Sequence, residues 1–368
     1  MEAKGKVVHK VRVGILGATG MVGQRFVSML HNHPWFEVAC LAASARSAGI
    51  TYGQAVEGRW KLKKAIPEEV KEMNILDVES DFDIVAKSVN LVFSALNMDK
   101  ERVKRIEERY AEKGVAVVSN NSSNRWTSDI PMVIPEINPD HLRLIEPQRK
   151  KRGWSKGFIV VKPNCSLQSY VPVLHVLRKF KPRLVEVTTL QAISGSGKTF
   201  ADWPEMVDNV IPFISGEEEK TEREPLKILG DLVEDRIKEA ENLQISATCI
   251  RVPVTDGHMA SVSVKFENKP TFGEIVEAIH NFNNPLSEMN LPSSPKQFIK
   301  YFFEDDRPQT DLDRDLGEGM TVSCGRFRED PFFDWKFVSL SHNTIRGAAG
   351  GAILIAELLY KKGYLIIS

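Results

Sequence analysis

The chain has 368 residues, enough for two domains and a substantial core, and it is 42% hydrophobic and 27% charged, as ordinary globular proteins are. Its 49 basic residues balance 49 acidic ones, so no global field points to nucleic acid or to an anionic membrane surface. Residues 1–10 lack the apolar core of a signal peptide, the apolar run 350–360 is short and carries Glu357, and four cysteines without a CxxC pair argue against zinc and disulfides, so a cytoplasmic setting is expected.

The first predicted strand, residues 11–16, runs into Gly17-Ala18-Thr19-Gly20-Met21-Val22-Gly23, and a helical pattern follows through Phe26, Val27, Met29 and Leu30 until Pro34. Gly17 permits a tight turn, Gly20 lets backbone approach a pyrophosphate, and Gly23 lets helix and strand pack closely. Glycine-rich turns without a ligand share such patterns. The position after a strand and at the start of a helix is the context that nucleotide binding requires. The second strand, 36–41, leads into a loop with no acid to hold a ribose 2′-hydroxyl. Ser44, Arg46 and Ser47 can instead receive a 2′-phosphate, which points to NADP; the alternative is a solvated Arg46.

Strands at 91–96 and 115–119 with a charged helix between them, 100–113, give another βαβ unit. The polar loop 120–126 then falls where doubly wound sheets bind ligands, with Arg125 either an anion clamp or a surface arginine beside Trp126. Residues 133–139 read as a strand and turn, and the basic run 149–152 as a solvated loop. A strand at 157–161 precedes Lys162-Pro163-Asn164-Cys165-Ser166 and an apolar-periodic helix, 167–180. Cys165 is therefore expected at a helix N-terminus, where the dipole and exposed backbone N–H groups favour a thiolate, unless it is a buried cysteine acting as a small hydrophobe.

Residues 184–193 are β-rich and end in Gln191-Ala192-Ile193-Ser194-Gly195-Ser196-Gly197-Lys198. Only the tail of a phosphate-binding Walker loop is present there, so ATP binding is not expected; a glycine loop near the nicotinamide or the reacting carbon is an alternative. Residues 216–220 precede a charged amphipathic helix containing Leu226, Ile228, Leu229 and Leu232. Strands at 245–254 and 260–266 place His258 at a turn between antiparallel strands, as either a structural or a catalytic imidazole. Strands at 321–328 and 336–341 complete a mostly antiparallel sheet. Asn343 precedes a small-residue helix that can pack on the nucleotide domain, and 291–315 reads as a loop.

Taken together, GATGMVG, the SxRS loop, NNSSNRW, VIPEINP, PNCS, LQAISGSG, EEEK, RVPVTDGH and HNTIRGAAGG resemble the aspartate-β-semialdehyde dehydrogenase family over nearly the whole chain. The resemblance implies an NADP-dependent oxidoreductase interconverting L-aspartyl-4-phosphate and L-aspartate 4-semialdehyde in the synthesis of aspartate-derived amino acids. It implies Cys165 as nucleophile, His258 as acid/base, and Gln191 as the residue positioning the acyl intermediate. Arg251 would bind the substrate carboxylate, Arg125 and Lys220 the phosphate, and Glu217 (with Glu218 and Glu219 as neighbours that can take its place) the amino group. Asn164 would help form an oxyanion hole with backbone N–H groups at the helix start. Ser194, Gly195 and Asn343 would lie against the nicotinamide, and no metal is implied.

The implied architecture is α/β: a Rossmann-type domain, 1–163, completed by a C-terminal helix, 345–368, and an α+β catalytic and dimerisation domain, 164–344, in a homodimer or homotetramer. Two other readings stand beside it. A malonyl-CoA reductase would share Arg251 and the thioester chemistry with CoA as leaving group. A dinucleotide-binding redox regulator would use Cys165 as a switch and leave His258, Gln191 and Arg251 without purpose.

Overall fold

In a computed structural model of the chain, residues 10–365 are described. Residues 1–9, and 366–368 of the C-terminal segment, lie outside the described residues.

The first half alternates strand and helix: β1 (Val11–Leu16), α1 (Met21–Leu30), β2 (Phe36–Ala43), α2 (Tyr52–Val56), α3 (Glu68–Lys71), β3 (Ile75–Asp77), α4 (Phe82–Ser88), β4 (Leu91–Ser94), α5 (Lys100–Glu112), β5 (Ala116–Ser119), α6 (Ile145–Arg152) and β6 (Phe158–Val161). All six strands are parallel, in the order β3-β2-β1-β4-β5-β6, the doubly wound arrangement of dinucleotide-binding folds. The glycine turn is sterically enforced. Gly17 has φ +83°, and a Cβ there would lie 2.4 Å from the Ala95 carbonyl oxygen, while one on Gly23 would lie 2.2 Å from the Gly17 oxygen.

The second half contains α7 (Leu167–Val176), β7 (Pro182–Gln191), α8 (Glu217–Ile228), the hairpin β8 (Asp231–Val233) and β9 (Arg236–Lys238), β10 (Gln244–Arg251), β11 (His258–Phe266), α9 (Phe272–His280), β12 (Ile299–Phe302), α10 (Thr310–Asp313), β13 (Val322–Glu329), β14 (Trp335–Ser341) and α11 (Gly350–Lys361). Its six-stranded sheet runs β10-β7-β11-β14-β13-β12, with parallel pairs at both edges and antiparallel pairs between. Helix α7 packs on β11, β13 and β14. A π-helical turn, Ile345–Ala349, leads into α11, whose apolar face joins the core of the first sheet against β5 and α1.

Several sequence expectations need correction. Residues 133–139 form no strand: a single bridge, Met132 to Val161, is all that pairs, because the Asn138 side chain takes the Ile134 N–H at 2.8 Å and donates to the Met132 carbonyl at 2.9 Å. The basic run 149–152 is the last turn of α6, where cations suit the helix dipole, and Arg152 is tied to Asp129 at 2.6 Å and Glu108 at 2.8 Å. The predicted helix 167–180 is α-helical only to Val176 and tightens to a 3-10 turn, Leu177–Phe180. Leu232 is not in α8, which stops before Gly230, where a Cβ would meet the Lys238 carbonyl oxygen at 2.4 Å. His258 opens β11 rather than sitting in a turn between neighbouring strands, since β10 and β11 flank β7 on opposite sides. The segment 291–315 holds edge strand β12, too short for its alternation to show in the sequence.

The C-terminal segment is anchored by a bidentate buried ion pair, Arg346 to Glu136 at 3.0 and 2.9 Å, with side chains 2% and 0% exposed. Breaking such a pair leaves an uncompensated buried charge. Glu136→Gln is expected to lower the unfolding free energy by about 3 kcal/mol; an unchanged midpoint in urea denaturation would show that the pair is dispensable.

Candidate active site

Cys165 sits in a turn between the end of β6 and the start of α7. Asn164 closes that turn: its Oδ1 accepts the Ser166 N–H at 2.8 Å and the Ser166 hydroxyl at 2.9 Å. Cys165 is partly exposed, whereas Cys40, Cys249 and Cys324 are buried. Its other wall is the π-helical turn, where a Cβ on Gly347 would lie 2.9 Å from the Cys165 Cβ.

The expected thiolate does not follow from this position. Burial and the Glu217 carboxylate push the Cys165 thiol up, and together they outweigh Lys162, Arg125 and Arg251, which pull it down. The expected oxyanion donors are also occupied: the Ser166 N–H by the Asn164 oxygen, and Asn164 Nδ2 by Glu217 at 3.0 and 2.9 Å.

One face of α8 supplies much of the polar floor. Glu217, Thr221 and Glu224, at positions i, i+4 and i+7, are all buried. Of the three adjacent acids, Glu217 faces the site. Glu218 accepts from the Cys249 N–H at 3.3 Å, and Glu219 pairs with Arg223 at 2.9 Å on the surface. Glu217 takes Lys220 Nζ at 2.7 Å and Gln191 Nε2 at 3.4 Å besides Asn164. Burial pushes its carboxyl up, but Lys220 and these bonds hold it below the ordinary range.

Arg125 is no surface residue. It donates to Glu224 at 2.8 Å, to the Lys162 carbonyl at 3.1 Å and to the Asn120 carbonyl at 3.0 Å. Its loop hangs on buried Glu107, which takes Ser119 Oγ at 2.6 Å and Asn124 Nδ2 at 2.8 Å, and whose carboxyl burial pushes up. Glu224 and Glu107 escaped the sequence reading. The seven-residue spacing from Glu217 to Glu224 was the available signal for the first; nothing local marks Glu107.

The end of β7 and the starts of β11 and the C-terminal segment bring in the remaining groups. His258 is wholly buried; its Nδ1 accepts the Ala192 N–H at 3.0 Å, while Nε2 has no partner among the described residues. An acceptor Nδ1 makes Nε2 the protonated nitrogen of the neutral ring. Burial and Arg251 depress its pKa to about 3, so the ring stands in the site as a neutral donor. Arg251 Nη1 donates to the Ala192 carbonyl at 2.7 Å, and its Nε is buried without a partner. Gly195 is required between them: a Cβ would lie 2.8 Å from Arg251 Nη1 and 3.0 Å from His258 Nε2. Asn343 ties the two loops together, accepting from the Gly257 N–H and donating to Ser194 Oγ, each at 2.8 Å.

At the nucleotide loop, Gly20 is exposed and a Cβ there would meet only the Gly17 oxygen, at 3.6 Å, so backbone stands open beside Thr19 and the first helical residues, Met21 and Val22. That cradle fits a dinucleotide pyrophosphate at a helix N-terminus. Ser44 and Arg46 are exposed beyond the end of β2, whereas Ser47 is buried, its N–H turned back to the Ser44 carbonyl at 2.9 Å. Of that trio, two side chains face outward.

Residues 12–145 match the family described as "Semialdehyde dehydrogenase, NAD binding domain", and residues 174–346 the one described as "Semialdehyde dehydrogenase, dimerisation domain". An aspartate-semialdehyde dehydrogenase of Archaeoglobus fulgidus is 44% identical over 350 residues, spanning 95% of this chain and 98% of the relative. The chain belongs to the aspartate-semialdehyde dehydrogenase family. Its member from Saccharomyces cerevisiae is 40% identical, over 96% of this chain and 98% of that one. The crystal structure of the Candida albicans aspartate-semialdehyde dehydrogenase with NADP superposes with a TM-score of 0.85 at 40% identity, covering 97% of this chain and all of that one. The fold expected from the family resemblance, a Rossmann-type sheet beside a mostly antiparallel one, is thus the one found.

The raised Cys165 thiol carries a direct test. Its alkylation by iodoacetamide is expected to be slow at neutral pH and to rise with a midpoint above the ordinary thiol value of about 8.5. Glu217→Gln removes a like charge and is expected to lower that midpoint. A wild-type midpoint below 8.5, or one that Glu217→Gln leaves in place, rejects the electrostatic account.

Proposed function

We propose that the protein catalyses the reduction of L-aspartyl-4-phosphate by NADPH to L-aspartate 4-semialdehyde with release of phosphate, and the reverse reaction, as a step in the synthesis of aspartate-derived amino acids. Full-length likeness to enzymes of that name supports the reaction class. The observation that carries the substrate is the placing of Glu217 and Arg251 around one thiol: both act electrostatically on Cys165, from α8 and from β10. An amino-acid substrate needs an anion for its ammonium and a cation for its carboxylate. Malonyl-CoA needs only the cation, so Glu217 disfavours that reading.

In this mechanism Arg251 holds the α-carboxylate and Glu217 the ammonium, while Arg125 and Lys220 receive the phosphate. These groups pair with one another in the protein, Lys220 with Glu217 and Arg125 with Glu224, so substrate charges exchange for protein ones. The Cys165 sulfur attacks the acyl carbon, the bond to phosphate breaks, and a thioester forms, splitting one difficult step into two. Gln191, buried beside Glu217, positions the acyl group. NADPH, when bound, supplies the hydride; the carbon–sulfur bond then breaks, releasing the semialdehyde and returning Cys165 as the leaving group. Gly17, Thr19, Gly20, Met21 and Val22 would hold the cofactor's pyrophosphate, Ser44 and Arg46 its 2′-phosphate, with Ser47 buried behind them, and Ser194, Gly195 and Asn343 its nicotinamide end. The Nε2–H of His258 donates to the oxygen that gains charge on the reacting carbon. The geometry favours this donor half of the acid/base role; accepting a proton requires an imidazolium that burial and Arg251 oppose.

We assign 1–163 with 345–368 to the nucleotide domain and 164–344 to the catalytic and dimerisation domain. The match to the family's dimerisation domain supports a homodimer or a dimer of dimers. Among the described residues no helix is long and apolar enough to cross a membrane, and we infer a cytoplasmic enzyme.

Aspartate semialdehyde, phosphate and NADP together are expected to raise absorbance at the nicotinamide band, and Cys165→Ala to abolish the rise while NADP still binds. No reduction by the wild-type protein, or faster NADPH oxidation with malonyl-CoA than with aspartyl phosphate, would sink the assignment. Arg46→Ala is expected to weaken NADP about tenfold, in line with loss of a charge-assisted bond, and to spare NAD. Equal losses for the two cofactors in fluorescence titrations would remove Arg46 from 2′-phosphate recognition.

A further inference from the structure

Lys162 lies three residues before the thiol and is 2% exposed. Its ammonium makes one hydrogen bond, to the Pro163 carbonyl at 3.0 Å, and pairs with no carboxylate among the described residues. A buried lysine without an acid partner is costly, and the mechanism derived above gives it nothing to do.

The path of its side chain connects it to the nucleophile. Gly347 and Gly351 are one helical turn apart on the C-terminal segment, so they present one face. A Cβ on Gly347 would lie 2.9 Å from the Cys165 Cβ, and one on Gly351 would lie 2.8 Å from the Lys162 Cε. Both side chains therefore pack along the same bare strip of helix. The charges around them narrow the roles further. Cys165 is faced by Glu217 from α8, Lys162 from its own segment, Arg125 from the 120–126 loop and Arg251 from β10. Lys162 is faced by Cys165, by Arg125, by Arg346 from the C-terminal segment and by Glu224 from α8. Arg125 is neutralised by Glu224 and Arg346 by Glu136. Arg251 is committed to the substrate carboxylate. Lys162 is the cation left for the thiolate.

We propose that Lys162 is the buried counter-charge of the nucleophile, a positioning residue whose ammonium stabilises the Cys165 thiolate. The proton balance is simple. The pair holding one proton exists as thiol and amine or as thiolate and ammonium; one proton leaves Sγ, one arrives on Nζ, and the total charge is unchanged. Burial depresses the Lys162 ammonium to about 7, and the charge of Cys165 works against that fall, as an ion pair between the two requires. This role also answers what His258 leaves open, since its neutral donor tautomer is not an acceptor for the thiol proton.

The proposal rests on Cys165 being the reactive thiol, and alkylation reads that thiol without turnover, so its failure is separable from failure of the dehydrogenase assignment. Lys162→Met keeps the length of the side chain and removes the charge. The iodoacetamide midpoint of Cys165, mapped by mass spectrometry, is expected to rise by about one pH unit or more, with NADP affinity unchanged. Lys162→Ala is expected to show the same rise and to recover in part with added methylammonium, which a purely structural role would not do. An unchanged midpoint overturns the proposal. Should both variants fail to fold, Cys165→Asp and Cys165→Ser provide the reciprocal measurement: by NMR of labelled lysine, Lys162 is expected to titrate at higher pH beside the carboxylate than beside the hydroxyl, and equal titrations overturn it.

Discussion

Two buried carboxylates on one face of α8 hold the segment that carries the thiol. Glu224 accepts the Asn164 backbone N–H at 2.7 Å and the Arg125 guanidinium at 2.8 Å, and Glu217 accepts the Asn164 side chain. Through these bonds a helix of the second half grips both the junction after β6 and the loop after β5. Buried charges of this kind contribute little net stability, because desolvation offsets their attraction. What they supply is position: strand end, polar loop and catalytic sheet meet at Cys165 in one register. Arg346 and Glu136 do the same for the C-terminal segment, whose glycines make room for the cysteine and the lysine.

The charges of the site are balanced within it. Each charge assigned to substrate has a protein partner or a carbonyl in its place: Lys220 on Glu217, Arg125 on Glu224, Arg251 on Ala192. The thiol is held mostly protonated and the imidazole neutral. In the proposed reaction, substrate would replace these internal contacts with its own ammonium, carboxylate and phosphate. A ligand lacking one of the three leaves a buried group unpaired, which is how such sites discriminate. The raised thiol is then part of the selectivity, since a protonated cysteine is a poorer nucleophile toward stray electrophiles than a thiolate.

Local patterns exposed much of this. The strand before GATGMVG and the helix after it could be read directly, because Gly17 and Gly23 answer steric demands made within the same turn-and-helix unit. Cys165, His258, Gln191, Arg251 and Asn343 were all singled out in the chain, and the fold brings them to one place. Residues 133–139 misled because their apolar composition suits a strand, while Asn138 bonds the backbone locally and defeats the ladder. The basic run 149–152 misled in the opposite way: its charges suggested solvent, but acids distant in sequence were waiting for Arg152. Strand β12 depends on pairing with β13 and leaves almost no mark of its own.

The sequence by itself therefore determined the class of fold and the dinucleotide turn, which rest on short-range sterics and periodicity, while the set of chemical groups was legible through the family resemblance. Only the tertiary structure decided their states. Whether Cys165 is thiol or thiolate depends on burial and on Glu217, fifty-two residues away. The tautomer of His258 depends on the amide of Ala192 across the sheet, and the choice among three adjacent glutamates on which one α8 turns inward. The place of Lys162 depends on two glycines near the other end of the chain. Charge state and tautomer are set by the low-dielectric neighbourhood of a group, and that neighbourhood is assembled from residues remote in the chain.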